Sequence, residues 1–232
     1  MTNALLQIKI KQRLNKLASM DYDNIECWQI QEAFNKAQLE WVRRQVYGIN
    51  TRREGTEQST GLIDDLRVLL KSGSLQPANK KTFAEVALPD DYLYYVRTDV
   101  HAKSDCCPER RMTVYEVEEA NMSILLGSDT KGPSWEWAET LSTLVGDKLR
   151  VYTNDKFVIT SLNLLYYRKP VYVAFNGCVD PGTGVVNTKD VTCEFKDDIA
   201  EILVDEAVSI LAGDIESMTQ YQRATQEVQQ NS

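Results

Sequence analysis

The spacing of apolar residues changes twice along this chain, and these changes limit the folds that it can adopt. In the first 75 residues the apolar positions recur every three or four residues, as they do on one face of a helix. From about residue 82 to residue 175 they alternate with polar residues, which is typical of strands. A helical pattern returns at Asp197. Helices, then strands, then a helix indicate an α+β protein and argue against an alternating α/β fold.

The first third of the chain is predicted to form three helices. They cover residues 4–19, about 24–47, and a short stretch from about 60 to 71. Asp23 and Glu26 have the spacing of a capping box at the start of the second helix. Each helix has one apolar stripe, so we expect the three stripes to be buried against one another.

The middle of the chain is predicted to form strands rich in aromatic and β-branched residues. The predicted strands cover residues 82–89, 92–102, 111–118, 147–153, 156–162 and 163–175, with a short helix at 118–127. Asn154-Asp155 is predicted to be the turn of a hairpin. Pro170 should place a break or an edge position inside the last strand.

These elements predict an antiparallel helical bundle with an inserted antiparallel β domain. The N-terminal helices and a long C-terminal helix would form the bundle. The predicted domains are residues 1–75 for the N-terminal helices, 76–195 for the β-rich domain and 196–232 for the C-terminal helix with an extended arm.

The cysteines and the single histidine restrict the chemistry that we expect. Five cysteines at irregular spacing do not resemble a disulfide framework, so we predict thiols. His101 with Cys106 and Cys107 is the nearest approach to a metal-ligand set, but adjacent cysteines rarely reach the same ion. His101 itself fits the surface of a strand. We therefore predict no metal and no cofactor.

Paired acids offer a route to an enzyme. Asp90, Asp91, Glu118 and Glu119 could serve a metal-dependent hydrolase, because such enzymes use clustered carboxylates. These acids also flank turns and helix starts, where acidic residues are common for structural reasons. We prefer that interpretation and predict a protein without catalytic residues.

Acidic charge is concentrated at the C-terminal end. The segment 197–232 contains eight acidic residues and one basic residue, Arg223, for a net charge of −7. The whole chain has a net charge of −8, so the remaining 196 residues are almost neutral. The basic side of the N-terminal helix could neutralise this acidic helix, either within one subunit or between copies.

Two groups of residues are candidates for binding another protein. After Gly213 the apolar stripe of the last helix thins, which suggests an arm that becomes ordered on a neighbour. The candidate docking arm contains Ile215, Met218, Tyr221 and Arg223. The candidate charged interface contains Arg43, Arg44, Arg52 and Arg53.

The sequence also bears on location. It contains no run of about 18 apolar residues, so no membrane span is predicted. The N-terminus is periodic and basic and lacks the continuous apolar core of a secretory signal. We therefore expect the protein to be made and used in a cytoplasm.

Several blocks of sequence, in this order, resemble the head–tail connector (ring or adaptor) proteins of tailed bacteriophages, especially crAss-like phages. The blocks are WQIQEAFNKAQLEWVRRQ, LPDDYLYYVR, PSWEWAETL with DKLRVYT, YYRKP, and CEFKDDIAEILVDEAVSILAGDIESMTQYQR. Together they span most of residues 25–223. None is a catalytic signature, so the resemblance rests on their order and co-occurrence.

The resemblance implies a helical bundle beside a β domain. It also implies that many copies, commonly a dozen, close a ring below the portal through which DNA passes without specific binding. The expected location is the head–tail junction of a virion assembled in the host cytoplasm. The expected partners are the portal and other connector or tail proteins. The alternatives are a cytoplasmic adaptor whose tail folds on a partner, and the metal-dependent hydrolase.

Overall fold

The computed structural model describes residues 1–17, 25–47, 65–105, 107–128, 130–214 and 226. The chain forms two compact units. Met1–Val68 with Pro170–Ser232 is called the helical unit, and Leu69–Lys169 is called the sheet unit. In chain order the elements are α1 (Asn3–Leu17), α2 (Cys27–Tyr47), β1 (Leu70–Leu75), β2 (Ala78–Asn79), β3 (Phe83–Ala87), β4 (Tyr92–Ser104), β5 (Cys107–Glu116), α3 (Glu119–Leu126), β6 (Glu139–Val145), β7 (Lys148–Tyr152), β8 (Val158–Arg168) and α4 (Asp197–Asp214).

The helical unit buries the apolar stripes that the sequence predicted. On α1, Leu6, Ile10 and Leu14 are fully buried, and α4 packs against both α1 and α2. Trp41 of α2 contacts the ring of Phe195 edge to face, with 5.2 Å between ring centroids. The predictions of α1, α2 and α4 are confirmed. No helix within the described ranges is both long and apolar enough to cross a membrane.

The sheet unit is built on one mixed sheet of eight strands, in the order β1-β8-β4-β5-β6-β7-β3-β2. β5 and β6 are parallel and are joined through α3, because a parallel pair needs a crossover connection. The other neighbouring strands are antiparallel. Its core contains fully buried aliphatic side chains from both halves of the sheet, including Leu149, Val151, Leu162 and Leu164.

The sheet curls into a half-barrel. Its two edge strands, β1 and β2, are consecutive in the chain. Asn79 in β2 reaches Ile159 in β8 through two hydrogen bonds. Its side-chain nitrogen donates to the Ile159 carbonyl at 2.8 Å, and its side-chain oxygen accepts from the Ile159 amide at 3.1 Å. The side-chain amide of Asn79 thus takes the place of a strand partner at Ile159, beyond the part of β8 that pairs with β1.

The predicted fold class, a helical bundle with an inserted antiparallel β domain, is wrong. The main feature of the structure is the eight-stranded mixed sheet, and the described residues contain only four named α-helices. The sequence pattern identified most strands, but it could not show that β5 and β6 run parallel. Strand partners depend on contacts between residues far apart in the chain, which a local period does not report.

The third predicted helix ends earlier than the sequence predicted. Asp65 and Leu66 are helical, and the 3₁₀ turn Arg67–Leu69 that follows them leads directly into β1. Ser72 and Gly73, expected to end a helix, lie inside β1 and pair with Leu165 and Leu164 of β8. Pairing with β8 overrides the local helical spacing of the leucines.

Asn154-Asp155 forms the predicted turn but not the predicted hairpin. Both residues have left-handed backbones, with φ of 50° and 60°, as a type I′ turn requires. The flanking strands do not pair with each other: β7 pairs with β6 and β3, whereas β8 pairs with β1 and β4. The turn therefore transfers the chain from one part of the sheet to another.

The prediction that the cysteines are all thiols is wrong. Cys27, the first residue of α2, forms a disulfide with Cys178, and the two are 151 residues apart in the sequence. Cys193 is a buried thiol. Cys106 lies outside the described residues. The irregular cysteine spacing could not reveal this pair, because the fold alone brings the two positions together.

Candidate interaction surfaces

The acidic face of α4 is neutralised within its own chain. Lys9 and Arg13 of α1 both form ion pairs with Glu201, and the Arg13 Nη2 to Glu201 Oε2 distance is 2.7 Å. Arg13 also pairs with Asp205, and the amino terminus pairs with Asp197. The sequence left open whether the basic helix meets the acidic helix within one subunit or between copies. The structure shows that the contact forms within one subunit.

Glu206 is a buried acid on the same helix. It is only 4% exposed and forms an ion pair with Arg44 of α2. Burial raises the pKa of Glu206 to about 7, because removing the carboxylate from water outweighs the attraction of Arg44, and the nearby Glu40 adds to the rise. Glu206 is therefore largely protonated in mildly acidic solution and becomes ionised near neutral pH.

The predicted charged interface is divided by the structure. Arg44 forms an ion pair with the buried Glu206 inside the helical unit. Arg43 is exposed on α2 and has no ion pair with any other described residue. Arg52 and Arg53 lie outside the described residues. Of this group, Arg43 is the cation that the structure shows at the surface.

The predicted docking arm lies beyond the described part of α4. Ile215, Met218, Tyr221 and Arg223 are all outside the described residues. The arm therefore stays a prediction.

The acids of the hydrolase alternative have structural partners. The Asp91 carboxylate accepts hydrogen bonds from the Lys71 ammonium at 2.7 Å and from the Tyr166 hydroxyl at 2.8 Å. The bond from Lys71 lowers the pKa of Asp91. Asp90 contributes its carbonyl to the Lys169 side chain. These contacts hold the turn before β4 against β1 and β8.

The described residues contain no group of three or more His, Cys, Asp or Glu side chains placed to hold a metal ion. His101 is exposed on β4, as the sequence predicted. Glu118 and Glu119 begin α3 and, with Glu116, line a shallow open depression. Burial raises the pKa of the Glu116 carboxyl.

A row of amide side chains on α2 was not predicted. The Asn35 side chain donates to the carbonyl of Val173 at 3.0 Å and accepts from its amide at 2.8 Å, so it pairs with the extended chain as a strand would. One turn earlier, Gln31 accepts from the amide of Phe175, and Gln38 donates to Asn35. The buried polar residues Asn35 and Gln38 thus replace a missing strand partner.

The same row positions the loop at 176–192, whose role the sequence did not suggest. Gln31 also accepts from Asn187, and the disulfide at Cys178 fixes the base of the loop to α2. The tip is a short hairpin with a bridge between Val179 and Val186. The Asp180 carboxylate closes its turn by accepting the amide of Gly182 at 2.8 Å. The loop is therefore a built element of the helical unit.

One sequence signal could have identified this arrangement. Gln31, Asn35 and Gln38 recur at the spacing of one helix face, beside the apolar stripe of α2. The chain after Pro170 reads as an extended segment that needs hydrogen-bond partners. The two observations together indicate that amides on a helix could serve that segment.

A second exposed surface was also not predicted. The turn between Trp135 and Ala138 places Trp137 in solvent, where 77% of its surface is exposed. Two residues after Trp137, the Glu139 carboxylate accepts a hydrogen bond at 3.1 Å from the hydroxyl of Tyr115 on β5, which is 49% exposed. That bond raises the pKa of the Tyr115 hydroxyl. Tyrosine and tryptophan side chains are enriched in surfaces that bind other proteins.

No protein-family model matches this chain. A search of curated proteins also finds no match.

Proposed function

We propose that this chain is a structural subunit of a tailed-phage virion. Many copies, a dozen in the expected form, would close a ring of the head–tail connector below the portal. DNA would pass through the ring without specific binding. The portal and other connector or tail proteins would be its neighbours.

The observation that carries the proposal is the division of the C-terminal segment. The first part, α4, is buried against α1 and α2, and Glu201 and Asp205 are paired with Lys9 and Arg13. The acidity of α4 therefore serves the subunit itself. We therefore assign binding of a neighbouring subunit to the residues after Asp214. This segment includes the apolar residues Ile215, Met218 and Tyr221.

The resemblance to connector proteins is the other support for the proposal, and several of its blocks lie in named elements of the fold. WQIQEAFNKAQLEWVRRQ is α2 with its row of amides, and LPDDYLYYVR forms the turn before β4 and the start of that strand. YYRKP ends β8 where the chain passes from the sheet unit to the helical unit. The resemblance thus rests on residues that organise both units.

The proposal is tested by measuring this chain in purified virions of the phage that encodes it. We expect a fixed copy number comparable to that of the portal, measured by quantitative mass spectrometry against labelled peptides. A chain absent from virions, but abundant in infected cells, would instead support the cytoplasmic adaptor. A chain that gains thermal stability on adding magnesium, manganese or zinc would favour the hydrolase.

A further inference from the structure

The turn that presents Trp137 is rigid. Ser134 and Glu139 exchange two backbone hydrogen bonds, at 2.9 and 3.1 Å, across the turn. Ala138 has a φ of 54°, a left-handed conformation that residues with a β-carbon seldom adopt. Its carbonyl accepts the amide of Thr113 at 2.7 Å, which ties the turn to β5. An unfavourable backbone held in place by its surroundings often marks a functional position.

The first tryptophan of the turn anchors it, whereas the second faces solvent. Trp135 packs against Phe157 with 5.9 Å between ring centroids, and the Arg110 guanidinium lies 4.1 Å from the centroid of Trp135. Trp137, two residues later, is 77% exposed. The hydrogen bonds of the turn already hold the backbone at Trp137, so a partner that covers this tryptophan has to order only its side chain.

The surface around Trp137 is acidic as well as aromatic. We call Tyr115, Glu136, Trp137 and Glu139 the Trp137 corner. Glu136 is exposed, and neither it nor Glu139 forms an ion pair within the described ranges. Aromatic faces attract cations, and carboxylates bind guanidinium groups with two hydrogen bonds. The corner therefore suits an arginine side chain from a partner.

The chain itself supplies such a cation in the helical unit. Arg43 is exposed near the end of α2, and its neighbour Arg44 is occupied by Glu206. Arg43 has no ion pair among the described residues, and Arg52 and Arg53 add basic charge a few positions later in the sequence. A ring needs two different, complementary patches on each subunit. The corner and Arg43 satisfy that requirement in charge.

We propose that the Trp137 corner of one copy binds Arg43 of the next copy. Trp137 would stack on the guanidinium while Glu136 and Glu139 neutralise it. This inference rests on the proposed ring and names the residues of its subunit interface. Partners other than a second copy are outcomes of the tests below.

The first test compares Trp137→Ala with Tyr172→Ala. Tyr172 is 62% exposed in the helical unit and serves as a matched control for loss of a surface aromatic. Self-association is measured by native mass spectrometry and sedimentation over a range of concentrations, with the chain alone and mixed with portal protein. We expect Trp137→Ala to weaken association about thirtyfold or more, as for an interface hot spot. We expect Tyr172→Ala to have little effect.

The second test assigns the cation. Arg43→Glu should weaken association, whereas Lys36→Glu, the same charge change elsewhere on α2, should not. Glu136→Arg with Glu139→Arg should also weaken association, and combining that pair with Arg43→Glu should restore it. Thermal unfolding of each variant checks that the fold is intact. A combination that stays as weak as its parents would overturn the pairing with Arg43.

The outcomes separate this inference from the proposed function. A ring that forms equally well with Trp137→Ala contradicts the corner as the interface and leaves the connector proposal intact. Binding of the corner to portal protein, without any binding between copies, also overturns the inference. Absence of the chain from virions, combined with Trp137-dependent self-association, would contradict the connector proposal and would support the Trp137 corner as an interface between copies.

Discussion

One glutamate in each unit has a pKa far from its value in water. For Glu206, the effect of burial on the pKa is larger than the effect of the neighbouring Arg44. Glu85, in contrast, is surrounded by positively charged side chains. The pKa of Glu206 is raised to about 7, and the pKa of Glu85 is lowered to about 2. The two shifts have opposite signs, so they predict opposite effects of pH on stability.

The pKa shift of Glu206 predicts that stability falls as the pH rises through neutrality. The folded protein holds a proton that the unfolded chain releases above its ordinary pKa of 4.5. This contribution is complete below about pH 4.5 and is lost as the pH rises through about 7. Glu206→Gln should flatten the decline between about pH 5 and pH 8, and the difference should not exceed about 3 kcal/mol. Urea unfolding of both proteins across that range measures it. A parallel pH dependence in both proteins would contradict a raised pKa.

Glu85 predicts the reverse behaviour in the sheet unit. Hydrogen bonds from Lys80 and Arg150 lower its pKa, and Lys148 adds a third positive charge. The stabilisation is present above the ordinary pKa of 4.5 and is lost as the pH falls toward about 2. We expect the wild-type advantage over Glu85→Gln to be greatest above pH 4.5 and to shrink in acid. Circular dichroism of both proteins during acid titration tests this, and a constant difference would contradict it.

At the scale of elements, side chains complete backbone pairing where the fold provides no strand. Asn35 of α2 pairs with both backbone groups of Val173, and Asn79 of β2 pairs with both backbone groups of Ile159. Unpaired backbone groups in the interior cost about as much as a lost hydrogen bond. One asparagine in each unit therefore stabilises a junction between segments that are far apart in the sequence.

The disulfide is the covalent counterpart of these junctions. Cys27 and Cys178 are 151 residues apart, so their bond restricts a long loop of the unfolded chain. Reduction should lower the free energy of unfolding by about 2–5 kcal/mol. Urea unfolding with and without a phosphine reductant measures the loss, and Cys27→Ser with Cys178→Ser should abolish the response. Cys107→Ser should keep the full response. An unchanged midpoint on reduction would show that the bond adds no stability.

At the scale of the whole molecule, the charges that first suggest an interaction surface have two different roles. The acids of α4 are paired with α1, so the subunit uses them internally. The corner at Trp137 and the cation at Arg43 are exposed instead. A strongly acidic segment in a sequence is therefore a poor guide to where a partner binds, because basic residues of the same chain can neutralise its charge.

Removing residues 214–232 tests the arm. We expect the shortened chain to fold with nearly unchanged circular dichroism, because it keeps every buried residue of α4 that the structure describes, the last of which is Ala212. We expect it to lose binding to its neighbour in pull-down and native mass spectrometry. Wild-type chain prepared in parallel is the control. Loss of soluble expression on truncation would mean that this segment belongs to the core.

The sequence by itself determined the helices α1, α2 and α4 and the approximate positions of several strands. It could do so because a helix or strand that is buried on one face has apolar residues at a regular spacing, and that spacing can be read from a short stretch of sequence. Only the tertiary structure decided that the strands form one mixed sheet, with β5 parallel to β6. It also decided that Cys27 meets Cys178, that Arg44 points inward while Arg43 stays at the surface, and that Trp137 is exposed. These features depend on pairs of residues brought together from distant parts of the chain, and no local pattern encodes which distant residue becomes the partner.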